Sequence, residues 1–352
     1  MSTVADAGAI DVHELVHDLV SIPSPSGDEE VMAQYLVELF ERHDREVWLD
    51  DIGNVRAPAD EAVLLTSHMD TVTGMPPVKL SDAEDGRTLL YGRGSVDAKG
   101  ALAAMVATSV SMGVSFAGVV REETDSAGAE HLVANRDEPA NVINGEPSGG
   151  DGIILGYRGI QSGTYYVRTP RAHPSRQEPN AIDHVTIWWS TVAGRYATSG
   201  SPFETVTVTP RSIEGGVDAK GMALEATLDF DLRVPPSVSV QSLRETLEAL
   251  DDHGTIDWEQ VVPPQHADAQ TPLAAALRWG IRSAGGKPHH LLKGGTSDAN
   301  IYAAGWSCPV VTYGPGDASL DHTPGEYLPL TELDQAVTTL EYAIDHLRGE
   351  AS

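Results

Sequence analysis

Hydrophobic positions along this chain change their period twice, and the changes outline its organisation. Residues 12–21 and 28–43 carry apolar side chains at three- and four-residue steps, as in Val31, Tyr35, Leu36, Leu39 and Phe40, the spacing of one helix face. Ser26, ahead of Gly27-Asp28-Glu29, supplies an N-cap followed by acids in the first turn. Short apolar runs at 46–49, 62–67 and 116–120 predict buried strands; the second runs into His68 and the third into Arg121-Glu122-Glu123. Between them, the turn Gly92-Arg93-Gly94 leads to small apolar residues at 101–112, predicted to form a helix lying close on a sheet. Strands alternating with helices imply an α/β fold with a mixed, mostly parallel sheet and helices on both faces, whose sites gather at the C-terminal strand ends.

After Gly159 the period becomes two. Residues 162–168, 204–210, 224–233 and 255–261 read as strands, with helices at 182–192 and 238–250. The order β-α-β-β-α-β suits an inserted α+β, ferredoxin-like domain of one antiparallel sheet and two helices. Patterns of the first kind return from Leu273. The expected division is a discontinuous catalytic domain, residues 1–158 and 269–352, interrupted by a lid at 159–268.

Composition then narrows the partners. Acidic residues outnumber basic ones by 52 to 23, a formal net charge of −29, so nucleic acid phosphate and anionic membrane surfaces are poor partners. The lysines are few (Lys79, Lys99, Lys220, Lys287 and Lys293), and acid surplus with scarce lysine fits a halophile's salt-rich cytoplasm, where screening removes self-repulsion. Cys308 is the single cysteine, which fits a reducing compartment, and the first ten residues hold no basic cluster of a targeting segment. A cytoplasmic location is the expectation.

Taken singly, the candidate chemical groups have plain readings. His68 with Asp70 could be a surface pair, Asp97 a helix N-cap, Glu122-Glu123 a solvated rim and Glu146, after Asn144-Gly145, a turn acid. Together they place histidine or acid at the ends of successive strands of one sheet, and Asp321-His322 can close the set. One histidine and one acid per metal, with one acid shared, would bind two ions; such ligands suit zinc, manganese or cobalt. If the strand continues through Glu122-Glu123, successive residues face opposite ways, so one carboxylate could bind metal while the other moves a proton.

His68-Met69-Asp70, Gly92 through Gly100, Glu122-Glu123, Gly145-Glu146-Pro147 and Asp321-His322-Thr323 together resemble the dizinc aminoacylase and carboxypeptidase family, which includes acetylornithine deacetylase and succinyl-diaminopimelate desuccinylase. The resemblance covers nearly the whole chain. It implies a zinc-peptidase-like domain with an inserted lid that dimerises, and two Zn2+ per subunit for which Co2+ or Mn2+ can substitute. By motif, His68 and Glu146 would hold one metal, Glu123 and His322 the other, and Asp97 would bridge. Glu122 would be the general base, with Asp70 orienting His68. In the lid, His173 resembles a histidine that stabilises the oxyanion across a homodimer, although Thr169-Pro170-Arg171 stands where the family has a glycine. Arg233, in Asp231-Leu232-Arg233-Val234-Pro235, and the loop of Gly295, Thr296 and Ser297 would bind a substrate carboxylate. The Gly156-Tyr157-Arg158-Gly159 turn and the segment from Lys293 to Asn300 look most like the branch that frees lysine or ornithine from the C-terminal γ-glutamyl linkage of an amino-group carrier protein. The alternatives are an N-acetylornithine deacetylase or succinyl-diaminopimelate desuccinylase acting on a free substrate, and a non-catalytic binding protein of the same fold.

Overall fold

Asp11 opens the first helix, Val12–Ser21, by accepting the amide hydrogens of His13 and Glu14. The computed structural model describes residues 9–173, 178–197, 200–201 and 203–350. They form two compact units. The first runs to Leu155 and resumes at Ala267–Leu291 and from Ser297; the second comprises Gly156–His266 and Leu292–Thr296. Relative to the expected division, the short segment Leu292–Thr296 groups with the inserted residues.

In the first unit, four parallel strands lie side by side in the order Val114–Val119, Asp60–His68, Val142–Gly145 and Val310–Tyr313. Antiparallel strands Val55–Ala57 and Trp48–Leu49 extend one side, and Ile154 pairs antiparallel with Thr312 on the other. Helix Lys99–Met112 is buried from Lys99 through Ser109, as an all-apolar helix should be. Its small residues (Ala101, Ala103, Ala104 and Ala107) let it sit against Asp60–His68, Val114–Val119 and the long helix Leu330–Glu350. Fully burying each of Leu102, Leu333 and Leu340 contributes roughly 1.5–3 kcal/mol. A three-stranded sheet of Lys79–Asp82, Thr88–Tyr91 and Tyr327–Pro329 was not predicted; Lys79–Asp82 is exposed throughout and carries no hydrophobic alternation.

The second unit has the expected element order. Strands Gly159–Pro170, Thr207–Val217, Ala223–Val234 and Gly254–Val262 make an antiparallel sheet in which Gly159–Pro170 and Ala223–Val234 are central. Helices Ala181–Arg195 and Val240–Glu248 supply Trp188, Leu243 and Leu247 to a core with Tyr165 and Phe230. Tyr165 and Trp188 stack with ring centroids 4.2 Å apart. Thr207–Val217 starts later and runs further than the predicted 204–210. It is an edge strand with its register shifted between Pro210 and Ser212, where proline cannot donate to a ladder, and its exposed half loses the alternation that marks a core strand.

Candidate metal centre

The registers of the parallel strands bring the predicted ligands to one edge. His68 lies opposite Val119, Ser67 opposite Gly145 and Gly145 opposite Tyr313, so chain leaving these strands emerges on one side. Gly145 is required there: a Cβ would stand 2.9 Å from the Cβ of Ser67. Asp97 comes from the turn before the buried helix Lys99–Met112, and His322 from the loop after Val310–Tyr313. His322 has a left-handed backbone, φ 61°, uncommon for a residue with a side chain.

Two donor groups result, sharing Asp97: His68 with Asp97 and Glu146, and Asp97 with Glu123 and His322. His68 Nε2 is 3.3 Å from Asp97 Oδ1 and 3.8 Å from Glu146 Oε2. His322 Nε2 is 3.1 Å from Asp97 Oδ2 and 3.0 Å from Glu123 Oε1. Ligands about 2.0–2.2 Å from a tetrahedral zinc ion stand roughly 3.3–3.6 Å apart, so both groups fit an ion with little adjustment. The two oxygens of Asp97 face different histidines, which is the disposition of a bridging carboxylate. All five predicted ligands are thus brought together.

Glu122 and Glu123 are not successive residues of a strand, as the sequence suggested. They lie in the turn that follows Val114–Val119, entered through Arg121 at φ 65°. Asp70 fixes that turn: its Oδ1 accepts the amide hydrogen of Glu122 and its Oδ2 that of Glu123, both at 3.1 Å, while Ser26 Oγ donates to Oδ2 at 2.6 Å. Glu29 adds a bond from the Arg121 amide at 3.1 Å, a role nothing in the sequence pattern announced. His68 Nδ1 donates to the Asp70 carbonyl oxygen at 2.9 Å, with the Asp70 carboxylate at 3.4 Å. A carbonyl only accepts, so the proton on Nδ1 stays there, and Nε2 is the nitrogen that gives up its proton and offers a lone pair when a metal binds.

Burial and crowding shift the acids. Burial, then the charge of Glu146, pushes Glu122 well above the usual carboxylate range; burial and the charge of Asp97 raise Glu146 and Glu123 in the same sense. Asp97 is held low because hydrogen bonds from His322 and His68 outweigh its burial. His322 is pushed up to about 9, first by its hydrogen bond to Asp97 and then by the charges of Glu123 and Asp97. Glu123 belongs to a donor group; Glu122 belongs to neither but feels the charges of Glu146, His68 and the shared Asp97.

The remaining predicted residues, apart from Ser297, belong to the second unit. His173 is exposed, beside the groove formed by Thr169, Pro170 and Asn180. Arg233 is on the central strand Ala223–Val234, and its buried Nη1 has no hydrogen-bond partner among the described residues. Arg158 is its like-charged neighbour and donates through Nε to the Gly294 carbonyl oxygen at 3.0 Å, at the loop holding Gly295 and Thr296. The sequence marks Arg158 only as part of the Gly156-Tyr157-Arg158-Gly159 turn. Ser297, in the first unit, caps helix Asp298–Gly305, accepting from the Ala299 amide at 3.2 Å, so its hydroxyl has a local task. A further group in the second unit, His184, Asp251 and His253, is accounted for by local bonds: Asp251 Oδ1 takes the His253 amide and ring, and Oδ2 the Tyr165 hydroxyl.

The model of peptidase family M20/M25/M40 matches residues 64–346. A [LysW]-lysine hydrolase of Deinococcus radiodurans is 34% identical, over 99% of this chain and 100% of the relative. A [LysW]-lysine/[LysW]-ornithine hydrolase of Sulfurisphaera tokodaii is 30% identical, over 96% and 95%. Among solved structures, aminopeptidase PepT of Bacillus cereus superimposes with a TM-score of 0.77 at 20% identity, covering 97% of this chain and 100% of that one, a likeness of fold. Among the described residues, no helix is long and apolar enough to cross a membrane.

Proposed function

The chain belongs to peptidase family M20/M25/M40, and on that footing we propose that it is a two-metal amide hydrolase releasing lysine, ornithine or both from the γ-glutamyl C-terminus of an amino-group carrier protein. One observation carries the hydrolase reading: two donor groups share Asp97, with Glu122 beside them but in neither. The carrier-linked substrate rests on near full-length similarity to hydrolases of that name.

Two divalent ions, zinc with cobalt or manganese as substitutes, would supply Lewis acidity to the attacking water and the amide carbonyl. His68 and Glu146 would hold one, Glu123 and His322 the other, and Asp97 both. Glu122 takes a proton from the water as its oxygen adds to the carbonyl carbon. It then gives that proton to the leaving amine as the C–N bond breaks, leaving the carrier's γ-carboxylate and the free amino acid. Asp70 keeps Glu122 and Glu123 in place through their amides. His173 would donate to the oxyanion, and Arg233 with Arg158 and the Gly295-Thr296 loop would receive the α-carboxylate of the released amino acid.

Dimerisation through the second unit is supported by its surface. Ile182 and Ile187 on one helix and Ile213 and Val217 on the edge strand are exposed, and Ile182 reaches Gly215 of that strand. A net charge of −29 disfavours nucleic acid and membrane partners and suits a salt-rich cytoplasm.

The test compares turnover of carrier-linked lysine, carrier-linked ornithine and acetylornithine at high salt with added zinc or cobalt. Carrier-linked substrates should be hydrolysed far faster. Equal or better turnover of acetylornithine would replace the carrier reading with that of a deacetylase. Full metal occupancy without activity on any acyl amino acid would leave a binding protein.

A further inference from the structure

Glu326 follows His322 by four residues and is 1% exposed, yet it belongs to neither donor group. Its Oε1 accepts the amide hydrogens of two consecutive residues, Val96 at 2.9 Å and Asp97 at 3.1 Å. Its Oε2 takes Arg93 Nη1 at 2.8 Å. Arg93 is itself 6% exposed and ties in the chain on both sides, donating to the carbonyl oxygens of Gly74 at 3.2 Å and Thr323 at 3.4 Å. The Glu326 carbonyl oxygen in turn accepts the Gly92 amide hydrogen at 3.4 Å.

Removing two charges from water is costly, and a buried pair is weak evidence for stability in itself. What this pair adds is placement. The carboxylate grips the backbone of Asp97, whose oxygens must stand 3.3 Å from His68 and 3.1 Å from His322. It does so from the segment that carries His322. We infer that the Arg93–Glu326 pair is a positioning device that sets Asp97 between the two histidines and so fixes the spacing of the two metal sites. Asp70 treats another ligand turn alike, with one carboxylate on the consecutive amides of Glu122 and Glu123. These two ligand turns are thereby each held by a buried acid outside the coordination sets. The inference rests on Asp97 being the shared ligand.

Zinc titrated into the metal-free protein against a chromophoric chelator tests it, with circular dichroism and melting of the metal-free forms recorded alongside. Wild type should take up two ions; if it does not, the shared-ligand reading fails first, and this inference with it. Glu326→Gln replaces one acceptor by an NH2 that must face either Arg93 or the two amides. It should weaken zinc binding by about 10–100-fold, the usual effect of losing an outer-shell partner, with unchanged helix content. Glu326→Asp keeps the charge, shortens the reach and should fall between the two. Wild-type zinc affinity in Glu326→Gln would overturn the inference. Failure of both variants to fold without metal would also overturn it, since Glu326 would then serve the fold as a whole.

Discussion

Metal affinity should rise with pH between 7 and 9, and His322 sets the size of the effect. Only a neutral imidazole can bind a metal ion. In the metal-free protein, the hydrogen bond to Asp97 and the charge of Glu123 raise His322 to about 9. At pH 7, therefore, about one molecule in a hundred has this ring neutral, and binding at its site is weakened by about 100-fold relative to the plateau above pH 9. His322 is 50% exposed, so salt screening of the neighbouring carboxylates trims the gain to between about tenfold and 100-fold. His68 is also raised, the charge of Glu146 and contacts with Asp70 and Asp97 overcoming its burial, and would release a second proton. Calorimetric zinc titrations at pH 7, 8 and 9, in buffers of differing ionisation enthalpy and with a competing chelator, read both affinity and proton release. His322→Asn should remove one proton from the count. An affinity that is flat over this range, with no proton released, would refute the reasoning.

Glu122→Gln should retain two metal ions by elemental analysis and lose about 10²–10⁴ in kcat, the range for a general base; loss of metal would instead exchange the roles of Glu122 and Glu123. Arg233→Ala should lower kcat/KM by about 10–100-fold, equivalent to a charge-assisted hydrogen bond of ~1.5–3 kcal/mol, on substrates whose released amino acid bears a free α-carboxylate. The matching carboxamide should be indifferent to this change, and an equal loss on both would remove Arg233 from carboxylate recognition. Gly128→Ala should destabilise the metal-free protein by ~1–3 kcal/mol in urea unfolding. Its new Cβ would stand 2.4 Å from the carbonyl oxygen and 2.6 Å from the nitrogen of Val120, just ahead of the Glu122 turn. Unchanged stability would show that this backbone contact yields freely.

Legibility in the sequence followed burial. Strand Asp60–His68 and helix Lys99–Met112 carry continuous apolar runs, so both could be read, along with the delivery of His68 at the strand's end. The ligands could be read because their order and spacing are carried by short motifs. Lys79–Asp82 and the far half of Thr207–Val217 face solvent, and no hydrophobic period marks them. Glu29, Arg158 and Glu326 escaped for a different reason. Each acts by gripping backbone groups of a distant segment, and a single polar residue in a loop has no local pattern that announces such a bond. The placement of Glu122 and Glu123 in a turn was missed likewise, because Arg121 at positive φ is a conformation that sequence does not advertise.

The strand Val310–Tyr313 lies between Val142–Gly145 and Gly152–Tyr157, although nearly the whole second unit separates it from them along the chain. Synthesis proceeds from the N-terminus, so a nascent chain exposes a gap in this sheet until ribosomal elongation passes Tyr313, and lacks His322 and Glu326 for longer still. Early hydrophobic collapse can shape the flanking strands, but the centre cannot close before residues 310–322 arrive. Premature termination in that stretch should therefore yield open-edged, aggregation-prone fragments rather than a weakened enzyme.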